Sequence, residues 1–113
     1  MSIILDAMGS DNYPIPEIEG AIMASEQLDI NIKLVGKREI ILEKLPSNFN
    51  DNKIEIIDAP DVVEMSDKPV EASRKKPNNS MAVGLRLIKE GKGEAFVTAG
   101  NTGGALFNAI SIL

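Results

Sequence analysis

The chain has 113 residues, 43% of them hydrophobic and 26% charged, with a formal net charge of −5. This suffices for one modest domain around a single core, while the acidic balance and only 4% aromatic residues argue against nucleic-acid and base-stacking surfaces. Neither Cys nor His is present, which removes the usual zinc and iron–sulfur ligands, disulfides, thiol nucleophiles and the Ser-His-Asp triad from this stretch.

No apolar run approaches the ~20 residues of a membrane span. The start Met1-Ser2-Ile3-Ile4-Leu5-Asp6 lacks the basic opening of a signal peptide, so the cytoplasm is the expected compartment. Ile3-Ile4-Leu5 reads as a buried strand ending at Asp6. Ala7 to Pro16, punctuated by Gly9, Asp11, Asn12 and Pro14, reads as a loop. From Ile15 the positions Ile18, Ala21, Ile22, Ala24 and Leu28 share a helix face. Ile30, Ile32, Leu34 and Val35 give a second strand closed by Gly36, and residues 37–45 a helix carrying Ile41 and Leu45.

Pro46 to Asn52 reads as a polar turn and Ile54-Glu55-Ile56-Ile57 as a third strand. Asp58 to Asp67 is irregular, with a helix start expected at Ser66 or Asp67. Helices follow at about 69–76 and 80–90, the second stopped by Gly91-Lys92-Gly93 and with Ser80 in capping position. Ala95-Phe96-Val97-Thr98 is a fourth strand. Ala105, Leu106, Ala109, Ile110 and Leu113 form a helical stripe that runs to the last residue without a stop signal. The expectation is therefore that residues 1–113 are the N-terminal portion of one larger α/β domain.

Alternating strands and helices predict a three-layer α/β/α, Rossmann-like fold, with a mostly parallel sheet and helices on both faces. Ligands of such sheets bind beyond the carboxyl ends of the strands. Asp6, which ends the first strand, and the Gly100–Gly104 turn after the fourth should share that edge.

Three clusters carry chemical potential. In Asp6-Ala7-Met8-Gly9-Ser10-Asp11, two acids flank a glycine at which a backbone can come close to a ligand; equally, Asp6 pins the loop and Asp11 caps the next turn. In Ser73-Arg74-Lys75-Lys76-Pro77-Asn78-Asn79-Ser80, Arg74 suits bidentate phosphate contact and the lysines act as point charges; the same run also suits the basic C-terminal end of a helix. In Ala99-Gly100-Asn101-Thr102-Gly103-Gly104, a glycine-rich turn opens a helix whose first N–H groups and dipole favour an anion, with Asn101 or Thr102 as N-cap. The plainer alternative is a tight turn. Neither a GxGxxG fingerprint nor a P-loop is present, so no nucleotide is indicated.

In this order and spacing, Asp6-Ala7-Met8-Gly9-Ser10-Asp11, then Asp67-Lys68-Pro69-Val70 with Arg74-Lys75-Lys76 and Ser80-Met81, then Ala99-Gly100-Asn101-Thr102-Gly103 resemble the N-terminal part of the bacterial phosphate acyltransferases. Ser10 stands where that family usually has Gly. The resemblance implies transfer of a fatty acyl group from acyl carrier protein to inorganic phosphate, giving acyl phosphate that a membrane-bound glycerol-3-phosphate acyltransferase uses for phospholipid synthesis.

It also implies the isocitrate dehydrogenase/phosphotransacetylase-like architecture, a homodimer, no metal or cofactor, and a cytoplasmic enzyme able to sit at the inner face of the membrane. Because phosphate is itself the nucleophile, no Cys or His is needed. Asn101, Thr102 and Arg74 are the implied catalytic residues. Asp6, Gly9, Asp11, Lys75, Lys76, Ser80, Gly100 and Gly103 are the implied phosphate- or substrate-binding set, with the basic run also suited to the acidic carrier protein. The alternatives are a phosphotransacetylase-like enzyme, an isocitrate-dehydrogenase-like enzyme using NAD or NADP, and an inactive α/β piece that keeps a phosphate site.

Overall fold

The computed structural model describes residues 1–47, 49 and 52–113. The polar turn expected over Pro46–Asn52 lies partly outside the described residues. Four strands, β1 (Ser2–Asp6), β2 (Asn31–Gly36), β3 (Ile54–Asp58) and β4 (Ala95–Val97), pair in parallel in the order β3-β2-β1-β4. Helices α1 (Ile15–Gln27) and α2 (Arg38–Lys44) connect the first three. Helices α3 (Pro69–Lys75) and α4 (Ser80–Lys89) lead to β4, and α5 (Thr102–Ile112) follows it.

Strand alternation explains the layers. Leu5, Ile32, Leu34 and Ile56 face α1 and α2, where they pack with Ile18, Ala21 and Ile41. Ile4, Val35, Ile57 and Phe96 point the other way, toward Val83, Leu87 and Ile88 of α4. A parallel sheet covered on both faces requires apolar residues at successive positions, hence runs such as Ile3-Ile4-Leu5. The fully buried Ile4 and Leu34 each contribute roughly 1.5–3 kcal/mol. The fold is the expected three-layer α/β/α arrangement. Among the described residues no helix is long and apolar enough to cross a membrane.

The chain moves outward from β1 through β2 to β3, then returns to the other side of β1 for β4. The strand order thus reverses between β1 and β4. A crevice opens at such a switch point, beyond the carboxyl ends of the strands.

Three local expectations need correction. Helix α1 begins at Ile15, so Pro16 lies inside its first turn, where a missing N–H costs nothing. Helix α3 begins at Pro69 rather than at Ser66 or Asp67. The Asp67 carboxylate turns back to accept the Glu64 N–H at 2.8 Å. Asn79, not Ser80, caps α4: its Oδ1 accepts the Ala82 N–H at 3.0 Å and its amide donates to the Lys76 carbonyl at 2.8 Å. The apolar stripe of α5, on whose direction the sequence is silent, faces outward, with Leu106 62% and Ile110 74% exposed. The helix packs instead through Gly104 and Asn108, whose amide donates to Ser73 Oγ at 3.0 Å.

Candidate functional site

Three loops converge at the switch point: residues 7–14 after β1, 59–68 after β3 and 98–101 after β4. Asp6 ties the first and third. It is buried at the end of β1, with Oδ1 accepting the Met8 N–H at 3.0 Å and Oδ2 accepting the Thr98 hydroxyl at 2.7 Å. The Ser80 hydroxyl donates to the same carboxylate. Burial pushes the Asp6 pKa above its ordinary 3.8, a tendency these three donors oppose and the nearby Glu17 charge reinforces. Thr98 Oγ1 in turn accepts the Gly100 N–H at 3.1 Å.

Gly9 closes the contact. A Cβ there would lie 2.7 Å from the Gly100 nitrogen and 3.0 Å from the Ala99 carbonyl carbon, so only a glycine admits this approach of two backbones. The loop is held from its far side by Glu17, only 6% exposed, which accepts both the Ser10 N–H at 2.8 Å and the Ser10 hydroxyl at 2.9 Å. Sequence reasoning passed over Glu17, which reads there as an ordinary acid in a helix's first turn.

Asn101 joins the second and third loops. Its Oδ1 caps α5 by accepting the Gly104 N–H at 3.0 Å. Its amide donates to the carbonyls of Glu64 and Asp67 at 3.2 and 3.1 Å. The side chain is 7% exposed and turned inward. Thr102 is exposed at the first position of α5, and Gly103 packs against Pro69, the first residue of α3. The Gly100 and Gly104 N–H groups are therefore used internally, whereas those of Thr102 and Gly103 open the helix.

The remaining nominated residues divide. Asp6, Gly9, Gly100, Asn101, Thr102 and Gly103 come together. Ser80 joins them from inside, through Asp6, at 2% exposure. Asp11 is exposed on the rim of a cleft of about 320 Å³ shared with Tyr13, Glu64 and Ser66. There the Tyr13 hydroxyl donates to Glu64 at 2.8 Å. With Asp11 and Glu64 on its rim, this cleft suits an anion less well than the α5 N-terminus does.

The basic run lies at the C-terminal end of α3. Arg74 lies over the Phe107 ring, 5.7 Å from its centroid. Lys76 donates to the Val62 carbonyl at 2.8 Å and pairs with Asp67 at 3.4 Å. Lys75 is exposed and lines a groove with Lys68, Glu71 and Lys76.

All of residues 1–113 match the family described as fatty acid synthesis protein. The chain belongs to that family. It is 48% identical to a phosphate acyltransferase of Koribacter versatilis over the whole of this chain and 32% of the relative. It is 41% identical to a phosphate acyltransferase of Clostridioides difficile over the whole chain and 34% of the relative. A phosphate acyltransferase of Gloeobacter violaceus is 43% identical over 96% of this chain and 32% of its own length. The chain thus spans about a third of the length of the curated relatives it matches.

Proposed function

We propose that these residues form the N-terminal portion of the catalytic domain of a phosphate acyltransferase, which moves a fatty acyl group from acyl carrier protein to inorganic phosphate. The observation that carries this reading is the open N-terminus of α5, held at the sheet's switch point by Asn101 and the Gly9–Gly100 contact. Relatives named phosphate acyltransferase, two of them matching along the whole chain and one along 96% of it, favour it over the dehydrogenase and phosphotransacetylase alternatives.

In this reading the N–H groups of Thr102 and Gly103, with the Thr102 hydroxyl, hold phosphate or the oxyanion of the attacked thioester. Phosphate oxygen attacks the thioester carbonyl, the tetrahedral oxyanion collapses, and the carrier's thiolate leaves, yielding acyl phosphate. Placement and charge stabilisation are the contributions asked of the protein. Asn101, Gly100, Asp6, Gly9 and Ser80 shape the helix start, and Asp11 borders the entry. Arg74, Lys75 and Lys76 lie on the α3 side, where Arg74 and Lys75 suit the acidic carrier better than the phosphate. We place the enzyme in the cytoplasm as a homodimer acting close to the membrane, where its product feeds a glycerol-3-phosphate acyltransferase.

The test is incubation of the full-length protein with palmitoyl-acyl carrier protein and radiolabelled phosphate. Labelled acyl phosphate, formed only when both are present, is expected. A folded full-length protein that forms none would overturn the reading.

A further inference from the structure

Thr98 joins the buried carboxylate to the turn. A threonine hydroxyl has one proton and two lone pairs. An ionised Asp6 can only accept, so the proton points to Asp6 Oδ2 at 2.7 Å. The lone pairs are left for the Gly100 N–H at 3.1 Å. On the other side, Asp6 Oδ1 takes the Met8 N–H, immediately before Gly9. One chain of hydrogen bonds therefore runs from Met8 through Asp6 and Thr98 to Gly100, and it orients both backbones that meet at Gly9.

Two N–H groups around the start of α5 are taken up inside the turn. With the Gly100 N–H drawn in to Thr98 and the Gly104 N–H taken by Asn101, the turn presents Thr102 and Gly103 at the head of α5. Without the hydroxyl, the Gly100 peptide loses the contact that fixes its plane.

We propose that Thr98 is a positioning residue for acyl transfer: oriented by Asp6, its hydroxyl fixes the Gly100 peptide and so aims the α5 N-terminus at phosphate. This rests on the function proposed above. Thr98→Val keeps the shape and removes the hydroxyl; Thr98→Ser keeps the hydroxyl.

In the full-length protein, Thr98→Val is expected to lower kcat/KM for phosphate roughly ten- to a hundredfold with the KM for acyl carrier protein unchanged, while Thr98→Ser stays within about threefold of the parent. Amide exchange at Gly100 should quicken in the Val variant and not in the Ser variant. A Val variant with parental phosphate kinetics, or a Ser variant as impaired as Val, would overturn the assignment. A parent protein that makes no acyl phosphate defeats the proposed function and this inference together, and does so before any variant is compared.

Discussion

Gly9 and Gly100 meet backbone to backbone, although one follows the first strand of the sheet and the other the last. A Cβ placed on Gly100 would come within 3.2 Å of the Gly9 Cα, just as one on Gly9 would meet the Gly100 nitrogen at 2.7 Å. The contact is possible because β1 and β4 are direct neighbours, with Leu5 opposite Val97. The two loops that leave those strands start side by side, and Asp6 and Thr98 hold them there.

Gly9→Ala tests that contact. All three nearest obstacles are main-chain atoms of Ala99 and Gly100 and have no rotamer to escape into, so one loop must shift. Overpacking of this kind costs about 1–3 kcal/mol. Thermal melts of the full-length protein should show a lowered Tm, and acyl phosphate formation should fall with it. Parental values of both would mean that the loops stand apart in solution.

Asn101→Ala removes a helix cap and a clamp in one change. Loss of the cap alone costs about 0.5–2 kcal/mol. The Glu64 and Asp67 carbonyls lose their donor as well. The expected result is a destabilised protein whose turnover drops more than its Tm predicts, because the head of α5 is no longer held against the 59–68 loop. Asn101→Asp separates the roles: its carboxylate still caps the Gly104 N–H but has no proton for the carbonyls. It should keep much of the helix and lose the clamp. If Asp restored turnover fully, the clamp would be irrelevant to activity.

The placement of the site at one edge was legible from the chain because the rule for parallel sheets needs only strand ends. An acid closing Ile3-Ile4-Leu5 and a glycine turn after Val97 satisfy it. What side chains do across that edge was not legible. Asn101 reads as a helix cap from its neighbours, but its second role depends on carbonyls some 34 to 37 positions earlier. Ser80 has the local look of a cap, yet Asn79 takes that role and frees Ser80 to face Asp6. Periodicity found the stripe of α5 but not its direction. That was decided by small Gly104 and hydrogen-bonding Asn108, which let the helix sit against its neighbours.

Asp6 should leave a signature in the pH dependence of stability. Its pKa is raised above 3.8 in the folded protein, chiefly by burial. The native state therefore holds this proton more tightly than the unfolded state, and stability falls as pH rises from about 4 through the folded pKa. Asp6→Asn cannot ionise and lacks this slope. Urea melts of the full-length protein over the acidic range should show the difference between parent and Asn variant shifting toward the variant as pH increases. A difference that stays flat would show that Asp6 titrates alike in both states.

The groove along α3 separates docking from structure within two adjacent lysines. Lys76 is committed internally, to the Val62 carbonyl and to Asp67, whereas Lys75 is exposed. If the groove receives the acidic carrier protein, Lys75→Glu should raise the KM for acyl carrier protein severalfold at low salt, leave the KM for phosphate unchanged, and approach the parent as salt screens the pair. Lys76→Glu should also lower the Tm, because it sets a carboxylate against Asp67 and the Val62 carbonyl. Equal kinetics for Lys75→Glu and the parent at low salt would return Lys75 to a solvated helix end, where a lysine only complements the helix dipole.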